Sequence, residues 1–124
     1  MNTIKSILLT AGIIATTAFS AQLKTPQPSP TGTIKQTIGL SEVTVVYSRP
    51  GAKERKIFGE LVALGEIWRT GANGSTTIEI SNDVKIGGKD VPAGKYALYT
   101  IPGETEWTII IHKNTTSWGT GDYK

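Results

Sequence analysis

From Thr33 onward, apolar and polar side chains alternate with a period of two, and no other feature limits the fold of this chain so strongly. Ile34, Gln36 and Ile38 fall on one side of an extended backbone. After a turn at Gly39-Leu40-Ser41, residues 42–48 set Val43, Val45 and Tyr47 against Thr44, Val46 and Ser48. These two runs predict a hairpin. Thr76, Ile78 and Ile80 alternate in the same way. Asn82-Asp83 signals a turn before the short return Val84-Lys85-Ile86, and Gly87-Gly88-Lys89-Asp90 signals another. Residues 95–101 part Tyr96 and Leu98 from Ala97, Tyr99 and Ile101, and Pro102-Gly103 ends the run. Trp107, Ile109 and Ile111 share one face of a last strand. Short strands at close spacing, rich in β-branched residues and punctuated by glycine, predict an all-β fold. The expected architecture is an antiparallel β-sandwich of about seven strands with at most one short helical turn. Residues 51–65 are the place for that turn. Ile57, Leu61, Leu64 and Trp68 sit near helical spacing, but Gly59 and Gly65 interrupt them. One helical turn or an ordered loop there would cover an open end of the sandwich.

A chain of 124 residues suffices for one domain. Residues 1–21 read as a secretory signal peptide. Lys5 supplies the basic start, residues 7–14 a short apolar run, and Ala18-Phe19-Ser20 a small-residue cleavage site. The run is too brief for a stable membrane span, and none later is long enough. Residues 22–31 form a Pro-rich linker in which Pro26, Pro28 and Pro30 favour an extended backbone. Residues 32–124 are the sandwich domain. With no cysteine, the domain needs no disulfide and has no lipid-anchored Cys. The expected location is the bacterial periplasm or exterior. The formal charge is +3, Lys5 included, and the basic residues are scattered. That distribution lacks the footprint of a nucleic-acid binder.

Four segments carry a resemblance: "VTVVYSRPGAKERKIFGELV" from Val43, "GEIWRTGAN" from Gly65, "IGGKDVPAGKYALYTIP" from Ile86 and "EWTIII" from Glu106. Long and in order, they resemble the exported bacterial family called domain of unknown function 2911, common in Bacteroidetes. The likeness runs from about Ser29 to Lys124. It implies no established activity. It does imply a further apolar, strand-like segment after Trp118-Gly119…Tyr123, where this chain stops at Lys124. The expectation is an open sheet edge or a sequence incomplete at its C-terminus. Family members often have Asn in place of His112, so the resemblance gives His112 no essential catalytic role.

The residues themselves offer few catalysts. One His and no Cys leave carboxylates as the remaining metal ligands, and no spacing matches a zinc or calcium loop. No metal site and no cofactor are expected. Gly-x-Ser-x-Gly is absent, and Gly87-Gly88-Lys89 has no following helix to aim at a phosphate. Glu60 and Glu66 are the acids set apart from obvious turns. The richer grouping is Tyr47-Ser48-Arg49-Pro50 with Trp68-Arg69-Thr70-Gly71-Ala72-Asn73. Arginine's planar fork matches carboxylates, phosphates and sugar hydroxyls. Trp68 offers a face for stacking, and Asn73 a donor and an acceptor. A reversal in the intervening loop would bring Arg49, Trp68, Arg69 and Asn73 to one end of the sandwich. The same residues suit a purely architectural role: Arg69 pairing with Glu60 or Glu66, Trp68 plugging the core, Gly71 supplying a positive φ. The leading functional reading is a non-catalytic module that binds a small polar ligand, a glycan or a protein partner. The alternatives are a hydrolase-like enzyme using Glu60 or His112, and an assembly protein pairing through an exposed edge strand.

Overall fold

The computed structural model describes residues 23–121 and Tyr123; the expected leader lies outside the described residues. The fold is all-β. Seven strands form two antiparallel sheets: β1 (Thr31–Ile38), β2 (Ser41–Ser48), β3 (Thr76–Ile80), β4 (Val84–Ile86), β5 (Lys89–Val91), β6 (Gly94–Ile101) and β7 (Thr108–His112). The larger sheet has the order β1-β2-β3-β6-β7, and β4-β5 is a separate two-stranded ribbon. Residues 51–65 fold as an ordered loop of turns and carry no helix. Several boundaries differ from the sequence reading. Ser41, read as part of a turn, belongs to β2 and pairs with Ile38, and β6 begins at Gly94. Thr31, placed in the linker, already pairs with Ser48. Lys89 and Asp90, placed in a turn, belong to β5, so the turn narrows to Gly87-Gly88. Trp107 lies just before β7.

Register explains the alternation. Val45 faces Ile78, Ile78 faces Tyr96, and Leu98 faces Ile111, which puts an apolar row across one face of the sheet. The other face carries the row Val46, Thr77, Ala97 and His112. The buried apolar residues are Ile80 on the first face and Ala97 and Tyr99 on the second. Tyr99 is only 1% exposed, and its hydroxyl lies 3.3 Å from Ser75 Oγ, which donates to Ser117 O at 2.9 Å. A buried phenol needs such a partner, because an unpaired hydroxyl in an apolar setting is costly. His112 and Tyr123 complete an aromatic cluster against Tyr99, with centroids 6.2 and 5.8 Å away.

β1 and β7 are the edges of the larger sheet. Ile34 and Ile38 on β1 are 54% and 63% exposed. The ladder between β1 and β2 extends beyond the strands, since the Arg49 amide donates to Pro30 O at 2.9 Å. Among the described residues no helix is long and apolar enough to cross a membrane.

Candidate functional site

The segment 68–73 takes its shape from hydrogen bonds to the end of β6. The Trp68 amide donates to Thr100 O at 2.7 Å, and the Thr100 amide donates back to Trp68 O at 3.0 Å. The Thr70 and Thr100 hydroxyls are 3.0 Å apart, and Thr76 Oγ1 donates to Thr70 O at 2.9 Å. Trp68 therefore continues the line of β3 along β6 for one residue before the chain leaves the sheet. Left-handed backbone falls at Thr70 (φ 57°) and Asn73 (φ 60°). Gly71 does not supply a positive φ. A side chain there would be crowded, because its Cβ would sit 3.0 Å from Thr76 Oγ1 and 3.2 Å from Ser48 O. The glycine permits close approach of this segment to the end of β2.

That approach builds a cleft of about 820 Å³ between the 51–65 loop, the end of β2 and residues 67–72. Arg49, Trp68 and Arg69 line it together, although some twenty positions separate the first from the others. Asn73 is not among the lining residues. Its Nδ2 lies 3.4 Å from both Ser29 O and Ser48 Oγ, so the amide ties the N-terminal segment to β2. Trp68 also belongs to an edge-to-face cluster, with Phe58 at 5.8 Å and Trp107 at 6.3 Å, and Phe58 and Trp107 themselves 5.1 Å apart. Phe58 and Leu61 extend the apolar wall.

Sequence reasoning missed Arg55 and Phe58. Arg55 lines the cleft and donates through Nε to Ala52 O and through Nη2 to Gly51 O, both at 2.9 Å. The signal was present as a third arginine inside "RPGAKER". All three arginines of the chain line this cleft, and none of the described lysines does. Arg69 makes no ion pair with Glu60 or Glu66; among the described residues the ion pairs are Lys35–Glu42, Lys56–Glu60 and Lys85–Asp90. Arg69 Nε is buried and has no hydrogen-bond partner among the described residues.

The two alternative catalysts stand elsewhere. Glu60 is ion-paired with Lys56 at 3.5 Å, is mostly solvated and does not line the cleft. His112 lies in the Tyr99–Tyr123 cluster, where its Nδ1 accepts from the Asn114 amide at 3.2 Å. A smaller hollow of about 300 Å³ follows the β4–β5 ribbon, but its polar groups are engaged: Lys85 with Asp90, and Asp83 Oδ1 with the Ala93 amide. Among the described residues no three metal-ligating side chains gather.

Searches among curated proteins and among solved structures find no match for the chain. The family model described as "Protein of unknown function (DUF2911)" matches residues 29–124, which takes in every strand and both walls of the cleft. The chain belongs to the DUF2911 family.

Proposed function

We propose that this is an exported domain that binds a small polar ligand or glycan in the cleft, and that it does so without chemistry of its own. The observation that carries the reading is the convergence of Arg49, Trp68 and Arg69 on one concave wall, with Glu60 and His112 outside it. Concavity, an apolar wall and a few polar groups are the ordinary makings of a ligand site. In this reading the arginines orient the ligand, Trp68 covers its apolar face, and Asn73 acts at one remove by holding Ser48 and Ser29 in position. The apolar run at residues 7–14 and the absence of cysteine support a periplasmic or secreted location. Thermal-shift screening of the purified chain against glycans and small polar metabolites tests the reading. A ligand that raises the melting temperature of the native chain and not of folded Arg49→Ala supports it. If every ligand tried shifts both proteins equally, or shifts neither, the cleft is not a binding site.

A second reading rests on β1, an edge strand with Ile34 and Ile38 exposed. Such an edge can receive a strand from a protein partner or a second copy. Light scattering of the native chain and of Ile38→Lys separates the two, since assembly through β1 would be lost in the variant.

A further inference from the structure

Resting on the cleft as a binding site, we infer that its ligand is a ring bearing an oxyanion, either carboxylate or phosphate. The anion is held by Arg49, Arg55 and Arg69, and the flat body lies on Trp68 and Phe58. The partition of the basic residues carries this inference. The chain has 13 basic side chains, yet its three arginines all line the cleft and no described lysine does. If positive charge alone were required, lysine would serve equally. Arginine differs in its rigid planar fork, which grips two oxygens of one carboxylate or phosphate at once.

No described acid lines the cleft to neutralise these cations, and no arginine takes part in an ion pair among the described residues. The three guanidiniums are placed at different depths. Arg49 is exposed at the end of β2, and its side chain lies across Gly32, where an added Cβ would meet its Cδ at 3.2 Å. Arg55 is braced by the carbonyls of Gly51 and Ala52, which take two of its five donors and fix the plane of the rest. Arg69 is partly buried, with Nη1 beside Gly119, and its Nε has no hydrogen-bond partner among the described residues. The aromatic wall answers the rest of the ligand, because Trp68 and Phe58 both line the cleft beside the arginines.

The test is isothermal titration calorimetry on the purified chain. The anionic probes are phenyl phosphate, benzoate and glucuronate; the neutral probes are benzamide and glucose. The anions bind, the neutral rings do not, and added salt weakens binding. Benzoate against glucuronate decides whether the ring is aromatic or a sugar. Arg49→Gln, on an exposed side chain, lowers affinity by roughly ten- to a hundredfold with the fold intact, the range expected for a lost hydrogen bond to a charged group. Arg69→Lys keeps the charge and also weakens binding, because the fork is gone. Neutral rings binding as tightly as the anions would overturn the inference and leave the cleft a binding site. No binding of any probe would remove both.

Discussion

Replacing Gly71 with alanine separates a cleft wall built by close packing from one that merely contains a flexible turn. The backbone at Gly71 is not left-handed, so the substitution carries no φ penalty of the kind seen at positive-φ glycines. Its cost comes from space. The new methyl would stand 3.0 Å from Thr76 Oγ1 and 3.2 Å from Ser48 O. Thr76 is buried, and its hydroxyl is committed to Thr70 O at 2.9 Å, so giving way by a few tenths of an ångström stretches that bond. A neutral hydrogen bond is worth about 1 kcal/mol in all, so stretching it costs only part of that. Forcing a methyl against a backbone carbonyl adds about 1–3 kcal/mol of overpacking. A total of about 2 kcal/mol corresponds to a fall in melting temperature on the order of 10 °C for a domain of this size. Gly121→Ala is the control, because nothing lies within 4 Å of its added Cβ and its φ is unexceptional. Urea denaturation of the three proteins gives the comparison. If Gly71→Ala matched Gly121→Ala within error, the close approach of residues 68–73 to β2 would be wrong, and the cleft with it.

Asn73→Gly keeps the left-handed backbone and removes the amide that reaches Ser29 and Ser48. Stability should fall by no more than about 1 kcal/mol, while hydrogen exchange at the Arg49 amide quickens; unchanged exchange argues against the tie. Tyr99→Phe deletes a hydroxyl 3.3 Å from Ser75 Oγ in the buried centre and should cost about 1 kcal/mol by chemical denaturation, whereas Tyr99→Ala should cost about 3–5 kcal/mol. Equal effects of the two would mean that the ring is not packed as described. Trp68→Ala removes a ring in contact with Phe58 and Trp107, so the near-ultraviolet circular dichroism of the aromatic cluster should collapse with far-ultraviolet strand signal retained. A near-ultraviolet spectrum that survives would place those rings apart.

Most of the sheet was legible because its cause is local. Alternation along 43–48 and 95–101 survives in the register, where Val45, Ile78 and Tyr96 line up across three strands. Positions 89–90 misled because Gly87-Gly88 alone supplies the turn, and the two residues after it, Lys89 and Asp90, are free to pair with Ile86 and Lys85 of β4. The meeting of Arg49 with Trp68 and Arg69 followed from a reversal in the loop between them. Arg55 did not follow, because its place depends on the path of residues 51–65, which no periodicity encodes. Gly71 shows the same boundary from the other side. Its presence in the motif was plain, but whether it serves torsion or clearance is decided by Ser48 and Thr76, partners brought to it by the fold.

The bonds from Asn73 and Arg49 to Ser29 and Pro30 have a mechanical consequence. A pull on residues 23–28 would load these two anchor points at the lip of the cleft, one of them the last rung of the β1–β2 ladder. Such a load would reach Ser48 and the backbone of Arg49, which both line the proposed site.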